Sequence, residues 1–70
     1  MAKSSPTIVG ANISKLRKAQ GISPERFAAG LDKTVQQVFN YERGRTRVSE
    51  AVITKAAEIL NVPVGDLFKE

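Results

Sequence analysis

The residues with the most chemistry to offer lie together, in the run DKTVQQVFNYERGRTR from Asp32 to Arg47. Gln36, Gln37 and Asn40 each set a hydrogen-bond donor beside an acceptor on one planar amide. Arg43, Arg45 and Arg47 add delocalised cations shaped for phosphate or carboxylate, while Val35 and Phe39 add apolar surface. From Lys33 to Arg47 there are four cations (Lys33, Arg43, Arg45, Arg47) and one anion, Glu42. That is the chemistry of recognition, polar pairing plus charge, and not of proton transfer. The chain has no Cys and no His, so disulfides, thiolate metal sites and the commonest metal ligand and general base are all missing. The carboxylates before the last residue, Glu25, Asp32, Glu42, Glu50, Glu58 and Asp66, are scattered near expected helix ends, where dipole and capping account for them. An enzyme is therefore the weakest of the functional classes, and no cofactor or metal is expected.

Seventy residues make one small domain, which buries only about 60% of the surface its unfolded chain exposes. The net charge of +4, from 11 Lys+Arg against 7 Asp+Glu, suits a polyanionic partner. Apolar runs stay well short of the roughly 18 residues that span a bilayer, and the start MAKSSPTIVG lacks the apolar centre of a signal peptide. The expectation is a soluble cytoplasmic protein with no membrane partner.

Four helices and a final turn are needed to position the 32–47 run. After a flexible polar tail over 1–6, Val9, Ile13, Leu16 and Gln20 recur at helical spacing, and Gly21 supplies a stop. Ser23 is an N-cap with Pro24 at the first helical position, Glu25 on the dipole, and Phe27, Ala28 and Leu31 turned inward. Thr34 caps a third helix whose Val38 and Tyr41 face the core and which Gly44 ends. Ser49 caps a fourth, with Val52, Ile53, Ala56, Ile59 and Leu60 inward and Asn61 at a left-handed stop. From Pro63, PVGDLFKE forms a last turn or two anchored by Leu67 and Phe68. No segment alternates like a strand. The expectation is an all-α, five-helix domain over 7–70, with helices two and three joined by a turn of a few residues.

That helical pair, SPERFAAGLDKTVQQVFNYERG, resembles the helix-turn-helix of the Cro and lambda-repressor-like (XRE) family, and ISKLRKAQGIS and SEAVITKAAEILNVPVGDLF fit on either side. The resemblance runs from about Ile8 to Phe68. It implies DNA as partner and a structural ion pair between Arg17 and Glu42, although the residues alone also allow Arg17 a DNA contact. It places base-reading positions on Val35, Gln36 and Asn40. Independently, with Val38 and Tyr41 inward, residues 36, 40 and 43 form one outward stripe with 35 and 39 beside it. Gln and Asn can be bidentate to adenine in the major groove, and apolar groups can meet the thymine methyl. Phe39 has three readings: packing on its own scaffold, contact with thymine or sugar, or contact with a partner subunit. Arg43, Arg45 and Arg47 fall where family members approach the sugar-phosphate backbone, Lys33 and Thr34 can do the same at the helix entry, and Gln37 is open between backbone contact and solvent. Two positions depart from the pattern: Pro24 stands where a glutamine phosphate anchor is common, and Asp32 where the turn usually has glycine.

The function these expectations support is a sequence-specific transcriptional regulator, a repressor sooner than an activator, that binds double-stranded DNA as a homodimer whose association depends in part on DNA. Val64, Leu67 and Phe68 are the candidate dimer surface; closure of the monomer core competes for Leu67 and, more strongly, for Phe68. The alternative is a protein-interaction module on the same fold, an antitoxin or phage accessory protein with a protein partner at Phe39.

Overall fold

The computed structural model describes residues 6–70, in which every regular element is helical. Four α-helices, α1 (Pro6–Ala19), α2 (Pro24–Leu31), α3 (Val35–Glu42) and α4 (Glu50–Leu60), are followed by a 3₁₀ segment, Val64–Phe68. The expected fifth helix is thus a 3₁₀ segment of five residues, a short run of the kind in which i→i+3 bonding is common. The expected tail lies outside the described residues except for Pro6, which opens α1, where a missing N–H has no cost. No described helix is long and apolar enough to cross a membrane.

Cap chemistry sets the boundaries. The hydroxyls of Ser23, Thr34 and Ser49 accept from the N–H groups of Arg26, Gln37 and Val52 at 3.1, 3.1 and 3.3 Å. At the other ends, Asp32 (φ 61°) and Asn61 (φ 57°) are left-handed caps, a conformation short polar side chains tolerate. Asp32 therefore makes the tight turn without glycine: its N–H and that of Lys33 close back on Ala29 and Ala28 carbonyls, at 3.2 and 2.9 Å.

The core gathers Val9 and Ile13 of α1, Phe27, Ala28 and Leu31 of α2, Val38 and Tyr41 of α3, and the inner face of α4. Ile13, Phe27, Val38, Leu60 and Leu67 are essentially sealed. Each such side chain contributes about 1.5–3 kcal/mol by leaving water. Two core residues escape the periodicity: Val48 sits just before the Ser49 cap, and Ala57 widens the apolar stripe of α4. Val48 and Ile53 occupy the positions of a hydrophobic staple, which fixes how the chain enters α4. Leu16 and Ile59 are only half-buried. Gln20, which falls at helical spacing with Val9, Ile13 and Leu16, is exposed, and its amide donates to the Leu60 carbonyl at 2.7 Å. Asn12 ties down the C-terminal segment by donating to the carbonyls of Leu67 and Lys69, at 2.9 and 2.7 Å.

Helices α1 and α3 approach closely at Gly10, where a Cβ would run into the Tyr41 carbonyl oxygen and come within 3.1 Å of the Glu42 Cα. The neighbouring atoms are backbone, so only a shift of a helix could admit a methyl group. Gly10→Ala, which at an open helical site would stabilise by about 0.5–1 kcal/mol, should here lose about 1–3 kcal/mol through overpacking. Urea unfolding checks this: a midpoint equal to or above that of the parent protein would show that the helices part freely.

Candidate functional site

A buried charge pair ties the end of the third helix to the first. Arg17 Nε donates to Glu42 Oε2 at 2.7 Å and Nη2 donates to Oε1 at 3.1 Å, a fork-to-fork geometry, with side-chain exposures of 6% and 7%. The remaining terminal nitrogen, Nη1, donates to the Ile22 carbonyl at 2.9 Å. One guanidinium thereby joins α1, the α1–α2 turn and the last residue of α3. Nothing in this geometry leaves Arg17 free to reach a ligand.

The pair also shapes the surface field. Glu42, the lone anion between Lys33 and Arg47, is turned inward. None of Lys33, Arg43, Arg45 and Arg47 has a carboxylate partner within ion-pair distance among the described residues. All four are exposed, at the entry and exit of α3. Other carboxylates lie where helix ends hold them: Glu25 and Glu50 in first turns, Asp32 in the left-handed cap.

At the entry to α3, Thr34 and Gln37 form a capping box. The backbone N–H of Thr34 donates to Gln37 Oε1 at 2.9 Å, and the Gln37 N–H donates back to the Thr34 hydroxyl at 3.1 Å. Thr34 also turns its own O–H to Gln37 Oε1, at 3.2 Å. Both acceptors are engaged locally, which leaves the Gln37 NH₂ group as the donor still pointing to solvent. The pattern Thr-x-x-Gln before an apolar position was a legible signal for this arrangement.

Along the outer stripe, Gln36 is exposed, Asn40 is half-buried, and Gln36 Nε2 lies 3.4 Å from Asn40 Oδ1. The two amides are therefore neighbours on one face, with Gln36 Oε1 and the Asn40 NH₂ group left open outward. Val35, expected outward, is half-buried and packed on the core, so only its edge remains for contact. Phe39 is half-buried as well, and the Arg43 guanidinium carbon stands 5.2 Å from its ring centroid. This stack connects residues one turn apart, a pairing that the i, i+4 spacing makes available. Beyond α3, the N–H groups of Arg45 and Thr46 bond to the Asn40 carbonyl at 2.9 and 3.3 Å, so the basic loop starts from a fixed point.

The candidate dimer residues divide. Leu67 is fully buried in the chain's own core and is withdrawn from any interface, because it seals the space between the 3₁₀ segment, α1 and α4. Val64 and Phe68, 40% and 45% exposed, flank a shallow groove with Ala51 and Thr54 of α4. Phe68 thus lies on the surface and does not close the core.

Comparison with known proteins agrees with this architecture. The profile of the helix-turn-helix family matches residues 13–67. An uncharacterized HTH-type transcriptional regulator of Sinorhizobium medicae is 37% identical over 62 residues, 89% of this chain, and the chain spans only 45% of that relative's length. YazB of Bacillus subtilis, also an uncharacterized HTH-type transcriptional regulator, is 37% identical over 60 residues, 86% of this chain and 87% of its own. Among solved structures, the restriction-modification controller protein C.AhdI of Aeromonas hydrophila superposes with a TM-score of 0.84 at 32% identity, covering 90% of this chain and 96% of that one.

A buried pair broken from one side leaves an unpaired charge, whereas replacing both partners by apolar groups removes the desolvation cost as well. Arg17→Met alone should lose about 3–5 kcal/mol, and Arg17→Met with Glu42→Leu should recover most of it. Chemical denaturation of the two single variants and the double variant checks this. Additive losses would mean that Arg17 and Glu42 do not act as a unit.

Proposed function

Since this chain belongs to the XRE-type helix-turn-helix family, we propose that it is a sequence-specific DNA-binding regulator of transcription, acting as a repressor on a near-palindromic operator. Support comes from one observation above the others: α3 carries adjacent amides outward while the four cations around it lack anionic partners among the described residues, because Glu42 is turned inside to Arg17. A surface of that kind complements the edge of a base pair between two lines of phosphate. In this reading α3 enters the major groove, Gln36 and Asn40 meet base edges, and the exposed rim of Val35 meets a thymine methyl. Lys33, Arg43, Arg45, Arg47, the Gln37 NH₂ group and the N-terminal turn of α3 at Thr34 face phosphates, supplying affinity and register but no sequence choice. Pro24 offers no N–H at the start of α2, so the anchor at that end falls to the α3 entry.

The chain dimerises, in this reading, through the face formed by Val64, Phe68 and the Ala51–Thr54 side of α4. Two exposed large hydrophobics are a small patch, which fits an association that DNA strengthens. Two-fold symmetry then sets half-sites about 34 Å apart, one helical turn. Occupancy of such a site is enough to block a promoter, which is why repression is the mode assigned. The names of the relatives, HTH-type transcriptional regulators and a controller protein, agree with the assignment.

Selection of bound sequences from a random duplex pool tests the whole reading. The expected product is an inverted repeat with that spacing and A·T pairs within each half. Return of no sequence, with binding insensitive to salt, would favour a protein-interaction module on the same fold, since contact with several phosphates weakens steeply as salt rises.

Readers and anchors separate by variant. Gln36→Ala should cost about 1–3 kcal/mol on the selected site and relax preference at one base pair. Arg47→Ala should weaken binding to all duplexes alike and lower the salt slope by about one. Fluorescence anisotropy on the selected and a scrambled duplex checks both. Equal weakening on both duplexes would end the role of Gln36 as a reader, and an unchanged slope would leave Arg47 in solvent.

A further inference from the structure

Phe39 is the one residue of the outward face that neither the core nor polar readout explains. It is half-buried, and among the described residues it is not one of the partly buried hydrophobics that pack on the core, as Val35 is. Its neighbour is Arg43, one turn on, whose guanidinium carbon lies 5.2 Å from the ring centroid. An arginine over an aromatic face is held by the ring quadrupole while the N–H edges of its planar group stay free to form hydrogen bonds. Arg43 has no carboxylate partner among the described residues, and it caps the end of α3. In a helix-turn-helix complex the N-terminal residues of the second helix meet base edges, so its far end departs toward the sugar-phosphate backbone. A long side chain pinned there has given up part of its rotamer freedom before any ligand arrives, which lowers the entropy lost on binding.

We propose that Phe39 is a positioning residue that holds the Arg43 guanidinium ready for a DNA phosphate, and is not itself an apolar reader of thymine. The proposal rests on the assignment of α3 to the major groove. It differs from the three roles that the residue type allows, because Phe39 acts through Arg43 and carries no sequence information. Arg43 then behaves as a preformed anchor, unlike Arg45 and Arg47, for which the structure shows no stacking partner among the described residues.

The test is a double-mutant cycle on the pool-selected duplex, on a scrambled duplex, and on the selected duplex with every thymine replaced by deoxyuridine, which lacks the methyl group. Phe39→Leu, Phe39→Tyr, Arg43→Ala and Phe39→Leu with Arg43→Ala are compared, each shown by its thermal melt to be folded at the assay temperature. Phe39→Leu should weaken binding about two- to fivefold on all three duplexes, the range expected of an exposed cation–π contact. Phe39→Tyr, which keeps the ring, should bind like the parent, and Phe39→Leu should add nothing in the Arg43→Ala background. The proposal is overturned if Phe39→Leu costs the same with or without Arg43, or if its effect vanishes on deoxyuridine DNA, which would make the ring a methyl reader. Salt-independent binding of the parent protein to every duplex would remove the DNA reading itself, and this proposal with it.

Discussion

The arrangement of this domain depends on the buried contact between Arg17 and Glu42. Side chains of opposite charge, each almost wholly excluded from water, lose their hydration, and that loss is offset by the hydrogen bonds of the guanidinium to the carboxylate and to the Ile22 carbonyl. Such a contact has little tolerance for sliding. A hydrophobic interface between α1 and α3 could repack by an ångström at small cost, whereas a bidentate pair fixes both distance and orientation. The close backbone contact at Gly10 lies on the same α1–α3 boundary and restricts it further. Together they set the tilt of α3 relative to the body, which is what any use of its outer face requires.

The same contact links stability to surface electrostatics. With Glu42 taken inside, the outward side of the 33–47 region carries cations alone. Local hydrogen bonds then sort the polar groups: the capping box engages Thr34 and Gln37 at the helix entry, while Gln36 and Asn40 touch each other at 3.4 Å and keep outward-facing donors and acceptors. Val38 and Tyr41 hold the opposite face down. A stretch of mixed composition is thus divided by depth, with charge pairing inside, amides in the middle of the outer face and arginines at its margin.

Much of this division was legible from residue types alone. Helix starts at Ser23, Thr34 and Ser49 and stops at Gly21, Asp32, Gly44 and Asn61 follow from cap chemistry, which acts over three or four residues and so is written locally. The inward faces of α2, α3 and α4 follow from period. Features that depend on two distant segments were hidden. Gly10 has no local signal that a backbone passes beside it, and Asn12, an ordinary polar residue in a helix, bonds to carbonyls 55 and 57 positions away. Leu67 and Phe68 are adjacent apolar residues in a 3₁₀ segment, and which of them turns inward depends on the packing of α1 and α4 against it. The stack of Arg43 on Phe39 is a local contact, but residue type alone does not choose between an arginine that stacks and one that extends.

The carbonyl of Asn40 has a consequence for how such a surface can change over time. The loop bearing Arg45 and Arg47 hangs from that carbonyl through two backbone hydrogen bonds, while the Asn40 side chain faces outward beside Gln36. Backbone groups are common to all amino acids. Position 40 can therefore exchange its side chain without releasing the loop, so that the chemistry of the outer face of α3 and the placement of the basic loop are open to selection as independent traits.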